Sequence, residues 1–247
     1  MKLPPASFSL LLAVALSNIG SSAVQAQSPP AATSPPSESG QIIKGWGEAI
    51  IPDAECKVQK DDQGDLTIEL PDNQKPYDLA AEVGSTNAPH VVQKIEGDFT
   101  LTVKVHPVKA PGEKSTNPVR VGYHGAAIIV MKDTSNIVTL ARAVLERGKN
   151  EPQPYTNFEV RINASVDRLG DTEDLPITMD GPLYLRLERR DDTIHGSAST
   201  DGVDWKFLNS KEIPDSWSKE LKAGVTAIST SEHGFSPKFS ELTLSKD

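Results

Sequence analysis

The chain has 247 residues, with 25 Lys plus Arg against 34 Asp plus Glu and a formal net charge of −9. That balance argues against nucleic acid, whose phosphates need a basic stripe, and against docking on anionic lipid. The single cysteine, Cys56, leaves no partner for an intramolecular disulfide and reads as a small buried side chain.

At the N-terminus Lys2 precedes an apolar run, Phe8 to Leu16, that is too short to span a bilayer. Small residues follow and end in Val24-Gln25-Ala26, an A-x-A-like processing site, so residues 1–26 are expected to be a signal peptide cleaved after Ala26. Residues 27–40 are rich in Pro, Ser and Ala, lack bulky apolar side chains and read as a flexible tether. Residues 41–247, roughly 200 in all, suit one large β domain with its own core. No later stretch is long and apolar enough to cross a membrane, so an exported protein, periplasmic or extracellular, is expected.

Period-two runs then follow in order. Leu66, Ile68 and Leu70 alternate with polar residues, as do Phe99, Leu101, Val103 and Val105. Phe158, Val160 and Ile162 alternate with Glu159, Arg161 and Asn163, and Leu183, Leu185 and Leu187 with Tyr184, Arg186 and Glu188. Such alternation sets one face on a core and the other in water. Ala126 to Met131 is continuously apolar and fits a central strand covered on both faces. Ser135 to Gly148 contains good helix formers, but Ile137, Val138 and Thr139 are β-branched and follow a tight turn, so a strand is predicted. One short helical turn fits Ser216 to Leu221. Turn clusters such as Glu96-Gly97-Asp98, Arg190-Asp191-Asp192 and Asp201-Gly202 separate the runs, so neighbouring strands are antiparallel. About ten or more strands without a repeat predict an all-β, antiparallel two-sheet sandwich or jelly roll.

Several segments together resemble a known family. Asn87-Ala88-Pro89-His90 followed by Glu96-Gly97-Asp98-Phe99, Trp46-Gly47-Glu48, and Phe239 to Leu244 are similar to segments of secreted concanavalin A-like domains, some of them labelled "regulation of enolase"-like. Tyr184 to Arg189 with Ser199 to Trp205 resembles their "LRLxR…SxDGxxW" hairpin. The likeness runs from about Gly45 to Leu244. It implies a jelly roll of two curved sheets whose concave face often holds carbohydrate in lectins and glucanases.

Catalytic patterns are sparse. The glucanase-type arrangement of that superfamily implies Glu-x-Asp followed closely by a second Glu, and Glu96-Gly97-Asp98 continues instead with Phe99, Thr100 and Leu101. No Gly-x-Ser-x-Gly elbow or glycine-rich phosphate loop occurs, and the five histidines lack paired ligand spacing. No cofactor is expected. Asp61-Asp62-Gln63-Gly64-Asp65 and Asp171-Thr172-Glu173-Asp174 gather hard oxygen ligands that could suit calcium, although solvated acidic turns are the commoner reason for such clusters. Asn163-Ala164-Ser165 fits a glycosylation acceptor.

Polar strand rows are the better lead. Parity puts Tyr184, Arg186, Glu188 and Arg190 on one side of a strand, Arg142 and Glu146 on one side of another, and Arg161 and His195 on further rows. Were these rows to meet, they would form a bed of planar donors, carboxylates and an aromatic ring suited to hydroxyl-rich sugars; a charged exterior of cross-strand ion pairs is the plainer reading. The expectation is a non-catalytic binding domain for polysaccharide or another glycoconjugate. The alternatives are a polysaccharide hydrolase or lyase and a structural protein-interaction module.

Overall fold

Side-chain alternation is realised strand by strand in the computed structural model, which describes residues 40–72, 74–148, 152–170, 175, 177–217 and 220–246. The expected signal peptide, the tether up to Ser39 and the Asp171–Asp174 cluster lie outside the described residues. In chain order the strands are β1 (Gln41–Ile43), β2 (Gly47–Ile50), β3 (Lys57–Lys60), β4 (Leu66–Glu69), β5 (Leu79–Ala80), β6 (Ser85–Thr86), β7 (His90–Ile95), β8 (Phe99–Val105) and β9 (Tyr123–Asp133). Then follow β10 (Asn136–Glu146), β11 (Pro152–Ile162), β12 (Ser165–Gly170), β13 (Leu183–Arg190), β14 (Thr193–Ser199), β15 (Lys206–Glu212), β16 (Leu221–Ser229) and β17 (Lys238–Lys246).

They form an eight-stranded sheet, β1-β2-β7-β16-β9-β10-β11-β12, and a seven-stranded sheet, β15-β14-β13-β8-β17-β4-β3. The named pairings are antiparallel, and the two sheets pack as a jelly-roll sandwich. Phe99, Leu101, Val103 and Val105 of β8 and Leu183, Leu185 and Leu187 of β13 face inward from one sheet. Val138, Leu140, Val144, Phe158, Val160 and Val225 meet them from the other in one continuous apolar cluster. Gly196 fits this core because a side chain there would run into the Phe158 ring. The segment at 135–148 is a strand, β10, and the short helical turn falls at Asp215–Trp217, where Trp217 is buried.

The continuous apolar run lies in β9, between β16 and β10. One of its faces joins the core. The other is partly roofed by the β5–β6 hairpin: Leu79 and Ala88 pack on Val92, Ile129, Met131 and Ile137 across the outer side of the eight-stranded sheet. Outward residues Ala127, Ala141 and Ala143 form a separate small cluster beside that roof, with Tyr123 and Tyr155 packed against it. Among the described residues no helix is long and apolar enough to cross a membrane.

Candidate functional site

The outer side of β9, β10 and β11 carries a cleft of about 360 Å³. Its floor follows from register. Gly125 lies opposite Ala143, which lies opposite Tyr155; in the next row Ala127, Ala141 and Asn157 are aligned, and in the row beyond, Ile129, Thr139 and Glu159. Small side chains in the middle of these strands let the Tyr123 and Tyr155 rings lie down over them, and those rings with Thr139, Asn157 and Glu159 line the cleft. Tyr123 folds back over Gly125, where a side chain would collide with the phenol hydroxyl. Asn157 donates from Nδ2 to that hydroxyl at 3.5 Å. Burial holds the Tyr123 hydroxyl well above the ordinary phenol pKa, so it stays a neutral donor and acceptor.

One wall is an unbroken chain of opposite charges. Arg120 donates to Asp78 at 3.0 Å and to Glu82 at 3.0 Å. Glu82, carried on the Ala81–Val83 turn, receives Arg161 Nε at 3.0 Å. Arg161 also reaches Glu159 at 2.8 Å, and Arg168, opposite Glu159 on β12, donates to it at 3.1 Å. Burial raises Asp78 above the usual carboxylate range, with Arg120 partly offsetting the rise. Burial also works against the Glu82 charge, but the Arg161 hydrogen bond and the two nearby guanidiniums leave its carboxyl below its ordinary value. The wall is therefore a fixed, hydrogen-bonded array of planar groups beside two aromatic rings that lie over buried small residues.

The seven polar residues singled out from the sequence do not share a bed. Tyr184, Arg186, Glu188 and His195 lie on the outer face of the seven-stranded sheet, where Glu188 is opposite His195. This row is largely self-paired: Arg186 lies 3.6 Å above the Trp205 ring, Lys104 sits 5.4 Å from the Tyr184 ring, and Glu188 pairs with Arg190 at 3.1 Å. The hairpin at Asp201-Gly202 supports it, with Gly202 at φ 79 and Asp201 Oδ1 accepting from the backbone of Val203 and Asp204. The His195 ring lies 6.3 Å from that of Phe207.

Arg142 points the opposite way from the cleft, into the end of the sandwich. It donates to the carbonyls of Val105, His106, Thr178, Met179 and Gly181 at 2.5–3.3 Å. Glu146 is buried at the end of β10 and accepts from the Gly148 amide at 2.8 Å. Of the seven, Arg161 alone lines the cleft. The reason is packing: on β10 the larger apolar residues Val138, Leu140 and Val144 share parity with Arg142 and Glu146, so the core draws in that side, charges included. The residues the sequence reading passed over are Tyr123, Tyr155, Asn157, Glu159, Arg120 and Arg168. A usable signal was present: extending the Glu159–Arg161 parity back by two and four positions reaches Asn157 and Tyr155.

The Asp61–Asp65 loop, the other described feature considered for a cation, is filled by protein. Lys238 Nζ lies 2.9 Å from both Asp61 and Asp65 and supplies the positive charge there. Among the described residues no group of three or more His, Cys, Asp or Glu side chains could hold a metal ion. Cys56 is buried, and burial pushes its thiol up to about 11, which leaves it protonated and unreactive near neutral pH.

No curated protein matches the chain by sequence. Among solved structures it is similar to a functionally unknown protein from Saccharomyces cerevisiae at 16% identity and TM-score 0.63, covering 82% of this chain and 97% of that one. It is also similar to a GH43 mutant protein from Bacillus licheniformis, at 16% identity and TM-score 0.54, covering 77% of this chain and 36% of that one. A xylan β-1,4-xylosidase from Bacillus halodurans is similar at 13% identity and TM-score 0.52, covering 85% of this chain and 41% of that one. The chain thus spans well under half of either Bacillus protein, and these likenesses concern the fold alone. Residues 53–247 match one family, and on that match the chain belongs to DUF1349, described as a protein family of unknown function.

Proposed function

We propose that the protein is an exported, non-catalytic carbohydrate-binding domain that seats a sugar in the cleft over β9, β10 and β11. The observation that carries this reading is a cleft lined by Tyr123 and Tyr155, which lie over the buried Ala127, Ala141 and Ala143, with amide and guanidinium groups on the adjoining wall. A pyranose offers an apolar face to aromatic rings and a rim of hydroxyls to planar donors, and this cleft offers both at once. Its volume, about 360 Å³, lies toward the lower end of the ~300–1,000 Å³ range of small-ligand sites. The fold likeness to part of a xylan-cleaving protein agrees with a carbohydrate ligand.

A binding role suits the carboxylates better than catalysis. Asp78, Glu82 and Glu159 are each engaged by an arginine, a pairing that fixes them as parts of the wall. In this reading residues 1–26 direct export and are removed after Ala26, and residues 27–40 tether the binding domain.

The test is calorimetric titration of a broad oligosaccharide panel into protein recovered from the export compartment, its mass reporting cleavage after Ala26. Saturable binding is expected, weakened about threefold to tenfold by Tyr155→Ala through loss of the aromatic surface and unchanged by Tyr184→Ala on the other sheet. Absence of binding across the panel would falsify the proposal. Cleavage of a bound sugar would replace it with the hydrolase or lyase reading.

A further inference from the structure

Each of the six carboxylate oxygens on the cleft wall accepts at least one hydrogen bond from the protein. Asp78 Oδ1 accepts from the Leu79 amide and Oδ2 from Arg120. Glu82 Oε1 and Oε2 accept from Arg120 and Arg161, and Glu159 Oε1 and Oε2 from Arg168 and Arg161. The guanidiniums are not used up in the same way. Each carries five N–H donors. Among the described residues Arg168 donates only through Nε, so both of its Nη groups are unspent. Arg161 donates through Nε and Nη2 and keeps Nη1, while Arg120 donates through its two Nη groups and keeps Nε. The wall therefore has guanidinium N–H groups with no protein partner among the described residues, while each of its carboxylate oxygens is already engaged by at least one donor.

From these unpartnered guanidinium groups, and resting on the carbohydrate reading above, we infer that the cleft selects an acidic sugar, a uronate whose carboxylate is received by the Nη groups of Arg168 beside Arg161. A neutral sugar would present hydroxyls, which neutralise none of the charge on the exposed Arg168 guanidinium. A carboxylate accepts only, and its two oxygens match the two parallel N–H bonds of a guanidinium edge. Arg168 is placed to receive it: its side chain is 60% exposed on the edge strand β12 and is held at its base by Glu159. With a formal net charge of −9 the whole protein does not draw in a polyanion from a distance, so the selection is made by contact within the cleft.

The experiment compares three ligands by titration calorimetry on the mature protein: a uronate oligosaccharide, the same oligosaccharide with its carboxyls reduced to alcohols, and that reduced oligosaccharide bearing sulfate. The uronate is expected to bind about tenfold tighter than its reduced counterpart, and Arg168→Gln, a change at an exposed edge position, is expected to shrink that ratio to near one. Equal affinity for the uronate and its reduced form overturns this inference while leaving the carbohydrate reading standing. Preference for the sulfated sugar overturns the carboxylate assignment. Failure of all three to bind overturns both readings.

Discussion

Arg142 illustrates how a single side chain can mislead when read from its charge alone. A guanidinium with no exposed surface is held by five main-chain carbonyls, two at the end of β8 and three in the 178–181 turn. Burial lowers its pKa to about 10, with Asp180 partly opposing, so it remains a cation at neutral pH. Its work is to close the end of the sandwich. Arg142→Met keeps much of the volume but strands several buried acceptors, and each such loss costs about 1–3 kcal/mol. The expected result is a loss of about 3 kcal/mol or more, read as a lower urea midpoint at unchanged slope. A loss below about 1 kcal/mol would show that water takes over these carbonyls. Composition could not reveal this role, because a charge on a strand is drawn outward unless its neighbours of the same parity outweigh it. Here Val138, Leu140 and Val144 do.

Strand by strand, much of the pattern was legible. The 99–105, 158–162 and 183–187 alternations predicted which residues face the core, and those residues do. What alternation lacks is the identity of the neighbouring strand. Tyr184 and Arg161 each sit on the polar side of a correctly read strand, yet those strands belong to opposite sheets. The β5–β6 hairpin was also invisible, since two-residue strands carry no period, and it is this hairpin that brings Asp78 and Glu82 to the cleft wall. On β9 the decisive residue is Gly125, which leaves room for the Tyr123 ring. Gly125→Ala puts a methyl group where the phenol lies and must swing the ring away, while an extended backbone tolerates alanine. Stability is expected to stay within about 1 kcal/mol of the parent, with sugar affinity reduced about threefold or more. Unchanged affinity would remove Tyr123 from the account.

For the whole molecule, the two outer faces have different characters. On the seven-stranded sheet, cation–π contacts and surface ion pairs join side chains to one another, and such exposed pairs contribute at most about 1 kcal/mol each and complete a surface. On the eight-stranded sheet a hairpin covers part of the face, and beside it Tyr123 and Tyr155, lying over buried alanines, line a cleft. The central claim is that the second face holds the sugar. It is tested most directly by titrating an oligosaccharide into isotope-labelled protein and following the backbone amide signals. The expected shifts cluster at Tyr123, Ala141, Tyr155, Asn157 and Arg161, with Tyr184 to Arg190 unmoved. Shifts centred on Tyr184 to Arg190 instead, with β9 to β11 silent, would contradict it.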